Sequence, residues 1–315
     1  MDATHPRTSR ALWGWSVFTL AWALLLLFAG ANVTTTRSGD AIPTWPQPWL
    51  PTDFSTPALI EWSHRGVAAW MGAFTLVLAV WTQIRGLSSS VKRFAWFAVG
   101  LVVLQAVLGG LRVRFVSDGI DATPTWLKVI HAVTGQVFFC ALAALSTWLA
   151  PWWDRCTRRD LTPEAMSVMR CGLLGTALLF VQLLLGALAR HGVLPRELHA
   201  FFALPALALV ARLVLVGGWE IPAEVGEIRR PVGLLGLLAA CQLALGIVAY
   251  FIAAGGGPPE GRGVTQIVLL NLHLAVGAGL LATTLSIALR AFRVWGTPTD
   301  ERVAAAEAAI AGGAS

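Results

Sequence analysis

Apolar residues gather in eight long runs: about Leu12–Ala31, Leu59–Ile84, Phe94–Val113, Thr125–Leu149, Met166–Arg190, Leu198–Gly217, Val232–Ala254 and Val264–Phe292. Each comes close to, or exceeds, the ~20 residues a helix needs to cross a bilayer, so the pattern predicts eight spanning helices. The first run is too long and too poorly punctuated for a cleaved leader, and no small-residue cleavage site follows it, so it too is read as a span. The polar positions within the runs are not scattered. His64, His131, His199 and His273 fall early in the second, fourth, sixth and eighth runs, separated by 67, 68 and 74 residues. Even-numbered helices all cross in one direction, which places the four imidazoles near one membrane face, with His273 somewhat deeper at ~1.5 Å per residue. A Gln-x-x-x-Gly pattern recurs in the helix before three of them: Gln105/Gly109, Gln182/Gly186 and Gln242/Gly246. The first run keeps only the end of that pattern, Gly30. The chain thus reads as four helical hairpins, or two four-helix halves.

Composition supports this reading. The sequence is 56% hydrophobic and 13% charged, where a soluble domain averages ~25% charged residues. The expected fold is an all-α integral membrane protein of eight transmembrane helices, arranged as two pseudo-twofold-related four-helix bundles. The halves are expected at residues 1–155 and 156–295, with a disordered cytoplasmic tail over 296–315. With the N-terminus inside, 15 of the 23 Lys and Arg residues fall in inner segments, so the positive-inside rule puts both termini in the cytoplasm. The net charge of +6 is this bias; no basic stripe alternates with aromatics, so nucleic acid is not an expected partner. Cys140, Cys156, Cys171 and Cys241 form no CxxC pair and none falls in an outer loop, so buried free thiols are expected rather than disulfides. The longest outer segment, Asn32–Ala58, carries Pro43, Trp45, Pro46, Pro48, Trp49, Pro51 and Pro57. Its length suggests function and its tryptophans an interfacial position.

Four membrane imidazoles at near-constant spacing point to a cofactor. The residue four positions after each, Ala68, Gly135, Ala203 and Gly277, lies beneath the imidazole on the same helix face and is small enough to clear a flat macrocycle. Haem ligation by two imidazoles per iron is the chemistry this suggests, with His64 and His131 as one ligand pair and His199 and His273 as the other. Arg65, Arg112, Arg114, Lys128, Arg190 and Arg196 are candidate propionate contacts. A lone membrane histidine is more often a hydrogen-bonding group between helices; the repetition is what favours haem. Zinc fits less well, because no HExxH and no Cys or carboxylate cluster accompanies each histidine. The halves differ three residues before the histidine, where Glu61 stands in one and Lys128, Arg196 and Leu270 in the others. A carboxylate there can act as base or as a stabiliser of cationic charge, or simply favour the helix N-terminus.

The stretch Asn32-Val33-Thr34-Thr35-Thr36-Arg37-Ser38-Gly39 with Pro43-x-Trp45-Pro46, then Glu61-x-x-His64-Arg65, Gln105-x-x-Leu108-Gly109-Gly110-Leu111 and His131-Ala132 resembles the haem A synthase (CtaA/Cox15) family. The resemblance runs from the first helix to the eighth. It implies haem b in the C-terminal half, on His199 and His273, and haem O as substrate in the N-terminal half, on His64 and His131. The C8 methyl of haem O is then oxidised by two hydroxylations and loss of water to the formyl group of haem A, with Glu61 implicated in the chemistry. It further implies a bacterial-type inner-membrane location, with haem O synthase and cytochrome oxidase assembly proteins as candidate partners. Two departures stand out: the first outer loop lacks the cysteine pair some members carry, and Asp40 stands where the family usually has Leu. Two other readings of the same residues are a two-haem b-type electron-transfer protein linked to quinone and a haem-binding assembly factor without turnover.

Overall fold

The computed structural model describes residues 9–46, 53–117, 123–255 and 261–296. The expected polar N-terminal tail with His5, the loop residues Pro48, Trp49 and Pro51, and the tail beyond Gly296 lie outside the described residues. Eight helices occupy the eight predicted runs: α1 (Arg10–Thr35), α2 (Thr56–Ile84), α3 (Ser89–Ser117), α4 (Thr125–Trp148), α5 (Pro163–Arg190), α6 (Arg196–Leu215), α7 (Gly226–Ala254) and α8 (Val264–Trp295). All eight are long and apolar enough to cross a membrane. The chain is therefore a multi-pass, all-helical membrane protein.

Most helices outrun their apolar runs at one end or both, and polar caps start two of them. Ser9 accepts a bond from Leu12 N at the start of α1, and Thr162 from Ala165 N at the start of α5, where Pro163 and Glu164 suit the first turn. Helices α2 and α5 are followed by left-handed glycines, Gly86 (φ 62) and Gly192 (φ 72), a conformation other residues adopt only with strain. α6 passes into a π turn over Val216–Glu220.

In the first half α1 packs on α2 and α4, α2 on α3, and α3 on α4; in the second α5 packs on α6 and α8, and α7 on α6 and α8. The halves meet where α8 lies against α1 and α4. Helix α4 is the central one, with 56% of its spanning window buried against 11% for α7. One apolar core joins Leu12, Met71, Leu78, Phe138 and Leu142 with Ala278 and Ala282 of α8; a second lies within the later helices around Val168, Leu213, Ile228 and Ile287. Lipid offers no hydrophobic drive between helices, so hydrogen bonds help fix them. Trp15 and Trp22 donate their indole N–H groups to Phe74 O (3.2 Å) and Val67 O (3.0 Å), joining α1 to α2. Large apolar side chains such as Trp70, Val103, Phe201 and Leu237 point outward, as a lipid-facing surface requires. Of the four free cysteines only Cys171 is buried and Cys241 is exposed; burial in protein is not needed where lipid itself is apolar.

Candidate functional site

Each of the four histidines packs on a glycine of the helix before it. A Cβ on Gly30 would stand 3.1 Å from the nearest atom of His64, on Gly109 3.8 Å from His131, on Gly186 3.0 Å from His199 and on Gly246 3.3 Å from His273. One contact thus repeats in all four hairpins, and the missing side chain is what admits the imidazole. Two of the small residues four positions after the histidines, Gly135 and Gly277, have a neighbour the sequence did not predict. Gly135 faces the Gln105 side chain and Gly277 the Gln242 side chain, so the recurrent glutamine, not open space, fills that clearance. With the Gln105 amide turned to satisfy both its ends, it donates to His131 Nδ1 (3.3 Å) and accepts from Gly135 N (2.9 Å).

In the C-terminal half His199 and His273 face one another. Their ring centroids are 6.3 Å apart and the rings are nearly perpendicular, at 89°. Two metal–imidazole bonds of about 2 Å each, plus roughly 1.1 Å from each nitrogen to its ring centre, give about 6.2 Å, so the ring spacing matches that of two imidazoles sharing one metal. His199 Nδ1 lies 3.1 Å from the Gln182 backbone carbonyl. A carbonyl only accepts, so Nδ1 carries the proton and Nε2 keeps its lone pair, the arrangement that orients a ligating histidine. The Gln182 amide returns a bond to His199 O at 2.6 Å. His273 Nδ1 is buried without a protein partner, and its Nε2 lies 3.5 Å from Gln242 Nε2. Arg196 donates to Ala253 O (2.8 Å), pairs with Glu197 and lies over the Tyr250 ring; it ties α6 to α7.

In the N-terminal half a half-buried cation sits near the candidate ligands. Arg112 lies within electrostatic reach of both His64 and His131, and also of Asp40, Glu61 and Arg65. Its Nε is buried without a partner, as is His64 Nδ1. Over this group folds the start of the first outer loop. Glu61 is 4% exposed; one carboxylate oxygen accepts from Ile42 N (2.8 Å), the other from Arg65 (2.5 Å). Arg65 also donates to Ile42 O (3.0 Å) and Thr44 O (2.7 Å). Trp45 lies against Gly110, where a Cβ would come within 2.9 Å of the indole. Thr123 reaches Asp40 at 3.4 Å. The loop is thus clamped across the histidine-bearing end of the first bundle, whereas in the second the matching connection is only the short turn His191–Pro195.

A polar junction links the halves at this level. Arg190, at the end of α5, donates to Ala31 O (2.9 Å) and Thr35 Oγ1 (2.6 Å) of α1; Thr35 donates to Asn271 (2.7 Å), and Asn271 to Asn32 (3.2 Å). His191, just beyond α5, is pushed down to about 4, by burial first and then by Arg190, Lys128 and Arg112.

Of the candidate propionate contacts, Arg65, Arg190 and Arg196 are already engaged with backbone carbonyls. Arg112 is the candidate that acts on both His64 and His131, and the loop clamp around Glu61 is a feature the linear sequence did not single out. The hint for Arg112 was its place two residues after Gly110, in the hairpin that carries His131. Asn32 and Thr35 stood out only as part of the stretch after the first run, and Asn271 gave no hint.

The family described as Cytochrome oxidase assembly protein (COX15-CtaA) matches residues 51–201, just under half of the chain. The haem A synthase of Bacillus licheniformis is 37% identical over 145 residues, covering 44% of this chain and 45% of the relative. That of Exiguobacterium sibiricum is 26% identical over 190 residues, 58% of this chain and 60% of the relative. A protohaem IX farnesyltransferase of Haloarcula marismortui is 28% identical over 141 residues, 44% of this chain and 29% of the relative. The chain thus spans between about a third and three fifths of these relatives' lengths. Over the segment that holds Glu61, His64, Arg112, His131 and His199, the chain carries the sequence pattern of the COX15-CtaA family.

Proposed function

We propose that this protein is a haem A synthase. Haem O is the substrate, held by His64 and His131 in the N-terminal half, and its C8 methyl is oxidised to the formyl group of haem A. Haem b is the resident cofactor, held by His199 and His273, and supplies one-electron redox chemistry when bound. The observation that carries the reading is the asymmetry between two otherwise matching histidine pairs. One has a buried carboxylate and a loop clamped over it; the other has neither. A reaction that makes reactive intermediates benefits from a site closed to water, and an electron-transfer pair does not need one.

The residues then take distinct roles. Arg112 sits where it can bind an acidic substituent of the substrate. Both oxygens of Glu61 already accept hydrogen bonds, which suits a fixed negative charge facing developing positive charge better than a mobile base. Arg65 holds that charge in place and pins the loop. Gln182 orients His199 through its backbone carbonyl, and Gln105 and Gln242 pack beside His131 and His273. The likeness to a protein named protohaem IX farnesyltransferase, of which this chain matches a part, supports a partnership with the enzyme that farnesylates haem. The Lys and Arg distribution supports cytoplasmic termini, and the bacterial relatives support a bacterial-type inner membrane.

Extraction of the pigments from purified protein tests this. Haem O or haem A beside haem b is expected. Haem b alone, from cells that make haem O, would favour the electron-transfer reading.

A further inference from the structure

At the end of the bundle opposite the histidines, a cavity of about 340 Å3 opens where the two halves join. Its walls are the α4–α5 connection (Trp152, Arg155, Cys156, Arg159), the first turn of α7 (Glu227) and the last turn of α8 (Val294). The connection is bonded to α8, since Arg159 N–H donates to Val294 O at 2.9 Å. The Arg290 guanidinium lies over the Trp152 ring, 4.7 Å from its centre, and donates to Glu227 O. Arg293 lies over Trp153 and donates twice to its carbonyl. The Trp152 indole N–H, at the cavity wall, is buried and has no partner.

We propose that this cavity binds the phosphate of an anionic phospholipid headgroup. Arg155 and Arg159 line it, and Arg290 and Arg293 stand behind its wall on Trp152 and Trp153, against Asp154 and Asp160 in the connection and Glu227 on the wall. Guanidinium groups suit phosphate oxygens, and basic pockets between membrane helices on the cytoplasmic side are headgroup sites. Trp152 and Val294 supply the apolar border that the glycerol backbone and the first acyl carbons require. The unpartnered indole N–H supplies a neutral donor beside the cations. The apolar border separates the two sources of such an anion. Trp152 and Val294 on the cavity wall have an apolar chain to cover only when the phosphate belongs to a lipid, so the lipid is the ligand. The site joins the halves through one molecule that contacts α7, α8 and the connection.

Native mass spectrometry of the full chain in a non-ionic detergent tests this, with phosphatidylglycerol, phosphatidylcholine or inorganic phosphate added. One phosphatidylglycerol should bind at about a tenth of the phosphatidylcholine concentration, and the double variant Arg155→Gln/Arg159→Gln should abolish that preference. Trp152→Phe keeps the ring under Arg290 and removes only the donor. It should weaken phosphatidylglycerol binding about threefold, the size of one hydrogen bond, with unchanged thermal unfolding. The proposal fails if phosphatidylglycerol shows no preference, or if the double variant keeps it. Displacement of the lipid by an equal concentration of inorganic phosphate would overturn the lipid assignment.

Discussion

The four glycine–histidine contacts predict a graded response to one added methyl group. Alanine at Gly186 would put Cβ 3.0 Å from His199 Cε1 and 3.2 Å from its Nδ1. Ordinary carbon contacts begin near ~3.5 Å, so the ring must retreat by about 0.5 Å. That retreat strains the bond from Nδ1 to Gln182 O, at 3.1 Å, and moves His199 relative to His273. Loss of a group that orients a metal ligand costs ~10–100-fold in affinity, or roughly 1.4–2.8 kcal/mol at 1.4 kcal/mol per tenfold. Gly30→Ala (3.1 Å) and Gly246→Ala (3.3 Å) should do progressively less, and Gly109→Ala (3.8 Å) nothing to ligation. The last should even gain up to ~1 kcal/mol of helix propensity. The assay is the low-spin haem content of each purified variant, with the reduced spectrum separating the two sites. Gly186→Ala and Gly246→Ala should deplete the haem b signal, and Gly30→Ala the substrate haem. Equal loss in all four, or greatest loss in Gly109→Ala, would refute the packing argument.

Further outcomes follow from the clamp, the half-buried cation, the turn histidine and the termini. Glu61→Gln should keep both haems and lower conversion ~10²–10³-fold, with haem O accumulating. Arg65→Gln, which frees the loop but spares the carboxylate, should lose less, and equal losses would reduce Glu61 to a loop anchor. Arg112→Gln should weaken retention of the substrate haem while leaving haem b in place, as read from the pigment ratio. His191 ordinarily titrates at 6.5 and is pushed down to about 4, so the folded state favours its neutral form. Its contribution is complete above about 6.5 and declines as pH falls toward 4. The drop in melting temperature between pH 7 and pH 5 should shrink in His191→Asn. A reporter active only in the periplasm, fused after Ser315, should be silent; activity there would reverse the orientation drawn from the arginines.

What could be read from the linear chain was whatever depends on helical periodicity. Eight spans, four histidines near one end, and the recurrent Gln and Gly in the preceding helix all follow from distances along one helix or one hairpin. Even Gly30, a remnant without its glutamine, lies on the ring of His64 as its three counterparts do. What escaped depends on chain reversal through irregular backbone. Ile42 and Thr44 meet Glu61 and Arg65 only because the loop after Gly39 turns back over α2, and no periodicity encodes that path. Lengths failed for a related reason. Apolar composition marks the stretch that lipid must cover, whereas Ser9, Thr162 and the two left-handed glycines decide where the helices begin and end.

The junction of Asn32, Thr35, Asn271 and Arg190 has a consequence for assembly. Two apolar bundles in lipid could slide or rotate against each other with little change in energy, because methyl groups meet methyl groups in any register. A guanidinium and two amides have one good alignment and leave several bare dipoles in every other. This small polar seam therefore acts as an index mark, setting the height at which the second bundle docks against the first. Because Asn271 lies two residues from His273 and Asn32 two residues from Gly30, the same mark sets how far apart the two pairs of imidazoles stand.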